Sequence, residues 1–538
     1  MTTEEIAKKL NLTAQLQELH GQNPFKVKAL TNAAFRLKKT EISLEGKSLE
    51  ELTAMEGIGK GIAAKIFELQ TTGKLKELEE VLSITPLGVV EMLHIKGIGP
   101  KKVAQLWKEL EVESPGELLY ACNENRLVAL KGFGKKTQAA VKKFIEFSME
   151  SKGKFHYAAC EKTALALVEF LKKQTGSEFI SLSGDIRRKS IIILGIEIVA
   201  AVPEKKINLL NFENPRNIPV HVHTCEEDEF AEVLFRTTAS PSHLKQLETF
   251  SYRGELHPET EEELYAGYEL DYIEPELREG RGEIMLAQHS KLPKLIEETD
   301  LKGVLHNHSK YSDGMSSLSQ MAEACRTLGY SYFGICDHSQ SAFYANGMKV
   351  YSVQEQQLEI DELNKKMFPF KIFKGIESDI LNNGSLDYEK EILETFDFVV
   401  ASVHSNLKMD KEKATARLLK AIENPFTTIL GHPTGRLLLS REGYPIDHKK
   451  IIDACAANGV AIELNAHPYR LDIDWTWIPY CIEKGIMISI NPDAHETAGL
   501  LDLHWGIAAA RKGMLTKETC LNAMSLEEIT KWFGAKKK

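Results

Sequence analysis

LHNHSKYSDG, residues 305–314, places two histidines and an aspartate within ten residues, directly after the apolar start of GVLHN (303–307). The same kind of ending recurs down the chain. YFGICD (332–337) runs into Asp337-His338, IFKGIE (372–377) ends at Glu377, and FDFVVASVH (396–404) ends at His404. TTILGH (427–432) ends at His432, VAIELN (460–465) is followed by His467, and IMISIN (486–491) by Asp493 and His495. These seven runs recur at about 30-residue intervals, with amphipathic stretches such as SLSQMAEACRTLG (317–329) between them. Repeated strand–helix units predict a parallel sheet, and seven of them predict a barrel. In a barrel the C-terminal strand ends converge on one face, so these scattered groups are expected to meet in one pocket.

Imidazole and carboxylate with almost no thiolate suit Mn²⁺, Zn²⁺ or Fe²⁺. His306, His308, Asp313, His338, Glu377, His404, His432, Asp493 and His495 are too many donors for one ion and enough for two or three. Such sites suit phosphoester hydrolysis, and Mn²⁺ is the ion favoured for activity. Arg436, four residues after His432, is expected to hold a substrate phosphate bidentately. His448, His467 and His504 are read as structural.

The motifs LHNHSKYSDG, CDHS, GIESDIL, SVHS, GHPTGR and PDAH resemble, in order and spacing, those of the PHP (polymerase and histidinol phosphatase) domain. The resemblance implies a distorted seven-stranded barrel over residues 299–538 with a trinuclear centre. It assigns the nine residues above as ligands, and places Asp493, His495 and His338 in the catalytic set.

Residues 1–150 read as helical, with Gly-x-Gly turns repeated at GIGKGIAAKI (57–66), GIGPKKVAQLW (97–107) and GFGKKTQAAVKK (132–143). Such a turn lets backbone N–H groups approach a phosphate, and the helix start behind it favours anions. Gly57, Gly59, Lys60, Gly97, Gly99, Lys101, Lys102, Gly132, Gly134 and Lys135 are therefore the expected DNA contacts. The motif resembles the helix-hairpin-helix, and NPFKVKALTNAAFRL (23–37) with EGIGKGIAAKIFELQTTGKLKELE (56–79) looks like the small N-terminal domain of family X DNA polymerases. That resemblance puts a Schiff-base lyase nucleophile at Lys65, activated by cations such as Lys60. An ordinary solvated helix lysine is the alternative.

Residues 151–272 read as a small α/β domain, and 273–298, with its Pro, Gly and charges, as a linker. The whole arrangement resembles bacterial DNA polymerase X. A family X palm carries Gly-Ser-x-Arg-Arg, then Asp-x-Asp and a third Asp that hold two Mg²⁺. Here the first motif is Gly184-Asp185-Ile186-Arg187-Arg188, the Asp-x-Asp positions fall on Gly195 and Glu197, and the third falls at about His221. Losing these carboxylates removes the electrostatic stabilisation of phosphoryl transfer, so the palm is expected to keep its nucleotidyltransferase-like fold without polymerising.

The chain's 538 residues carry a net charge of −10, but residues 1–150 hold 22 Lys+Arg against 20 Glu and no Asp. By subtraction from the whole, +2 lies in that region and −12 in the rest. No run suits a membrane span or signal peptide, and eight Cys without CxxC read as reduced thiols, so a cytoplasmic, nucleoid-associated protein without membrane partners is expected, acting as a monomer. The expected function is a metal-dependent 3′–5′ exonuclease on gapped, nicked or 3′-ended DNA, extended by the resemblance to AP-endonuclease action and 3′-end processing. The alternatives are a gap-filling polymerase, a histidinol-phosphatase-type phosphomonoesterase and a non-enzymatic DNA-binding scaffold.

Overall fold

Each Gly-x-Gly turn of the N-terminal region is a corner built the same way. The first glycine adopts a left-handed φ (+78°, +98° and +88° at Gly57, Gly97 and Gly132), which only glycine takes without strain. The middle residue, Ile58, Ile98 or Phe133, is buried, and its N–H donates to the carbonyl three residues back. The second glycine opens the next helix: Lys60–Thr72, Pro100–Leu110 and Lys135–Glu150. The computed structural model describes residues 1–39, 44, 46–55, 57–150 and 153–536, and contacts divide it into Met1–Glu146 and Phe147–Lys538. The expected boundary at 150/151 involves residues 151 and 152, which lie outside the described set.

The second unit begins with a small sheet in the order Ile180–Ser183, Ile196–Ala200, Val220–Thr224, backed by the helix Tyr157–Thr175. A second core follows, from Phe235, Leu247, Leu264 and Tyr265. Into it pack Ile273, Leu277, Ile284, Ala287 and Leu295, so residues expected as a linker are part of a packed body. The polar composition misled because its charges are buried in pairs. Arg278 is fully buried, bonded to Glu261 and Ile273 O, with its guanidinium 5.2 Å from the Tyr265 ring centroid.

The rest is a seven-stranded, all-parallel barrel, each strand paired with its sequence neighbour: Gly303–Val304, Tyr332–Ile335, Lys371–Asp379, Phe398–Ser402, Ile429–Leu430, Ala461–Asn465 and Ile488–Asn491. Strands buried on both faces explain the continuous apolar runs. The last and first strands are joined at one end, where His308 N–H donates to Ala494 O at 2.9 Å. At the other end the buried Asn522 links Gly303 O with the N–H of Ile490. Tyr332, Phe373, Phe398 and Ala461 fill the interior, and Phe533 of the helix Leu526–Lys536 stacks on Phe398 at 4.9 Å to close the base. Gly334 and Gly375 make room for that ring, since a Cβ on either would fall within 2.6 Å of it. With its base filled, the barrel is open at the C-terminal strand ends.

Candidate metal centre

The sequence alternates along each strand, and the inward parity carries the chemistry. Cys336 leads to His338, Gly375 to Glu377, Ser402 to His404, and Asn491 to Asp493. All nine residues expected as ligands converge there in four overlapping groups: His308, Asp313, His338 and His495; His306, Glu377 and His432; His306, His308 and Asp493; and His338, Glu377 and His404.

Glu377 is the centre of the cluster. Its Oε1 lies 3.0 Å from His432 Nε2, 3.1 Å from His404 Nε2 and 3.3 Å from His306 Nε2. Its Oε2 lies 2.9 Å from His338 Nδ1 and 3.6 Å from His308 Nε2. Asp493 Oδ1 is 2.9 Å from His308 Nε2, and Asp313 Oδ1 is 3.3 Å from His495 Nε2.

Burial alone would neutralise these carboxyls. The surrounding imidazoles, His404 and His338 foremost at Glu377, hold it far below the usual range. Asp313, beside His495 and His338, and Asp493, beside His306 and His308, are held low in the same way. His308 is pushed down to about 4 by burial and then by His495 and His338.

Three carboxylates surrounded by imidazoles at donor–donor distances of 2.9–3.6 Å fit divalent cations. Ligands about 2.1 Å from one ion stand about 3–4 Å apart. His306 Nε2, His308 Nδ1, both His338 nitrogens and Glu377 Oε2 are buried and make no hydrogen bond among the described residues. Leaving such atoms unmatched is costly, and a cation satisfies them together.

The residues that orient the cluster were missed in the sequence. Glu463, fully buried on the sixth strand, accepts from His306 Nδ1 at 2.5 Å, from His432 N–H, and from the amides of Asn465 and Asn491. Asp379 accepts from His404 Nδ1 at 2.6 Å. Each bond fixes the Nδ1–H tautomer and turns Nε2 inward. Asp337 accepts from Ser309, Ser312 and Gln356, anchoring the loop that carries Asp313. A carboxylate at the inward parity of an otherwise apolar strand, as in AIELN, was the available signal.

Other expected residues lie differently. Arg436 donates to Asp474 and to the carbonyls of Arg470 and Leu471, so its guanidinium clamps the 470–474 loop. Three of its guanidinium donors thus have protein acceptors, where the sequence suggested a substrate phosphate. Lys65 pairs with Glu77, an anion, where the lyase reading asked for neighbouring cations. Lys60, Lys101 and Lys135 are exposed, and Lys102 sits 5.0 Å from the Phe133 ring centroid. A Cβ added at Gly59, Gly97, Gly99, Gly132 or Gly134 would meet no atom within 4 Å, so these turns present open backbone, while one at Gly57 would meet the Arg36 side chain. His448 stacks on Trp477, and His504 bonds Glu161 and Glu298.

In the small sheet, Glu197 pairs with His223 at 3.2 Å and lies opposite His221. Gly195 has no room for a side chain, because a Cβ would fall 2.7 Å from Pro219 O. Arg187 is bound by Glu261, and Arg188 by Asp185 and Glu279.

A parallel barrel with a histidine–carboxylate centre at its open end defines a metal-dependent phosphoesterase of the PHP class, and the PHP domain family matches residues 305–467. A helix-hairpin-helix domain matches residues 1–75, and a SAM-like helix-hairpin-helix tandem residues 89–145. DNA polymerase/3′-5′ exonuclease PolX of Bacillus subtilis is 34% identical over 98% of this chain and 99% of its own length. The chain belongs to the bacterial DNA polymerase X family. A probable phosphatase of Acetivibrio thermocellus is 29% identical over 38% of this chain and 80% of that protein. The crystal structure of histidinol phosphate phosphatase from Lactococcus lactis, complexed with zinc, L-histidinol and phosphate, aligns at a TM-score of 0.33 and 18% identity, covering 39% of this chain and 93% of that one. Among the described residues no helix is long and apolar enough to cross a membrane.

Proposed function

We propose that this chain is a metal-dependent 3′–5′ exonuclease that processes DNA ends in repair and does not polymerise. The observation that carries the reading is the position of Glu377, whose two oxygens face five imidazoles within 3.6 Å. His306, His308, Asp313, His338, Glu377, His404, His432, Asp493 and His495 would hold two or three divalent ions, with Mn²⁺ favoured for activity. Such ions acidify water and neutralise phosphoryl oxygens.

The chain's own residues provide the rest. Glu463 and Asp379 orient His306 and His404, and Asp337 sets the Asp313 loop against the cluster. The filled base of the barrel confines a DNA end to the mouth. The hairpins at 57–60, 97–102 and 132–135 bind phosphates through open backbone N–H groups and exposed lysines, without reading sequence. By the resemblance to a family X palm, the three aspartate positions fall on Gly195, just before the strand Ile196–Ala200, on Glu197 within it, and at about His221 on the neighbouring strand. The arginines of the same region are spent on Glu261 and Glu279. We assign the chain to gapped, nicked or 3′-ended DNA, acting as a cytoplasmic monomer, with AP-endonuclease action at the same centre.

A 5′-labelled gapped duplex incubated with protein and Mn²⁺, with and without nucleoside triphosphates, tests this. Stepwise 3′ shortening in both conditions supports the reading. Template-dependent extension would favour the polymerase instead, and turnover of histidinol phosphate with DNA intact would favour a metabolite phosphatase.

A further inference from the structure

Directly after His338 the chain forms the loop 339–348, closed on itself and tied down at both ends. Met348 N–H donates to His338 O at 2.8 Å, and Gly347 N–H to Ala342 O at 2.9 Å. Ser341 donates its backbone N–H to Asp387 and its hydroxyl to Asp379, the carboxylate that also orients His404. Ala342, Ala345 and Met348 are buried beneath it. At its tip, Phe343 is 79% exposed.

A scattered exposed apolar residue needs no explanation. This one is the end of an aromatic series leading into the metal centre. The Phe343 ring lies 6.2 Å from the Tyr344 ring, edge to face, and the Tyr344 ring lies 6.1 Å from His338 and 6.2 Å from His404. The His404 side chain is nearly buried, and Tyr344 packs beside both it and His338, between the cluster and the exposed Phe343. Those separations keep Phe343 within about 12 Å of the His338 imidazole, within reach of a nucleotide whose phosphate lies at the cluster.

We infer that Phe343 is a stacking platform for a base at the 3′ end of the DNA, next to the phosphate being hydrolysed. The inference rests on the exonuclease reading above and names a substrate contact within it. Stacking on an aromatic ring accepts any base, as an exonuclease that removes successive nucleotides requires. A base can reach the ring only after leaving its own helix. The enzyme therefore favours single-stranded or mismatched 3′ ends over paired ones.

The test compares the full-length protein with Phe343→Ala and Phe343→Trp. Substrates are 5′-labelled single strands ending in normal nucleotides or in two abasic ones. On normal ends Phe343→Ala loses about tenfold in kcat/KM, mostly through KM, and Phe343→Trp retains the wild-type value. On abasic ends wild type and Phe343→Ala are equal. Equal loss on both kinds of end, or no loss on normal ends, overturns the assignment. Fluorescence of 2-aminopurine at the 3′ terminus, read with Ca²⁺ in place of Mn²⁺, gives a signal independent of cleavage. It changes on binding wild type and not Phe343→Ala, and an identical change with both proteins overturns the platform. Wild type that leaves DNA intact with Mn²⁺ would instead refute the exonuclease reading, while the fluorescence still decides the platform.

Discussion

His306 Nδ1 and Glu463 Oε2 lie 2.5 Å apart, both fully buried, and this contact turns the other nitrogen of His306 toward Glu377 and Asp493. Glu463→Gln keeps the shape and removes the charge. It is expected to weaken metal affinity about 10- to 100-fold while leaving the fold intact. Chelator competition, with circular dichroism as the fold control, measures this.

Glu377 and Asp313 differ in how many groups of donors they join. Glu377 belongs to two of the four groups and Asp313 to one. Metal analysis of protein purified without chelator is expected to show Glu377→Ala losing more metal per chain than Asp313→Ala.

Restoring an aspartate in the small sheet should not restore polymerisation. Gly195→Asp drives a Cβ to 2.7 Å from Pro219 O. A cost of about 1–3 kcal/mol is expected in urea unfolding, with no primer extension even when combined with Glu197→Asp and His221→Asp.

The hairpin lysines act through phosphates, so each should carry part of the salt dependence. Lys60→Ala, Lys101→Ala and Lys135→Ala are each expected to lower the slope of log affinity against log salt by about 0.7–0.9, with little change among DNA sequences. Fluorescence anisotropy across a salt series reads this slope.

His504 bonds Glu161 and Glu298, and those partners, Glu161 first, raise its pKa from the usual 6.5 to about 9. A raised folded-state pKa gives stability that is complete below the unfolded value and is lost as pH climbs through the folded one. The Tm difference between wild type and His504→Gln is therefore expected in full at pH 6, shrinking between pH 6.5 and 9, and absent above.

The barrel and its cluster were legible because strand ends converge: seven apolar runs ending in ligand-type residues already define one pocket. The supporting shell was not legible from that pattern. Glu463 and Asp379 lie within strands rather than after them, and their purpose shows only when His306 and His404 are seen from the side. The spacing of Arg436 from His432 suggested a phosphate contact, and did not reveal that the 470–474 loop, 34 to 38 residues further on, accepts three of its hydrogen bonds. Likewise the charges of 273–298 suggested a tether because sequence does not reveal that Arg278 and Glu261 meet in a core.

The central claim is that the histidine–carboxylate cluster hydrolyses DNA from its 3′ end. The direct measurement is shortening of a 5′-labelled single strand by metal-reconstituted wild type, His308→Ala and Asp493→Ala, with each protein's bound metal measured in the same preparation. The account predicts stepwise shortening by wild type, and loss of both activity and metal in the two variants. Shortening by a variant that has lost its metal would contradict it.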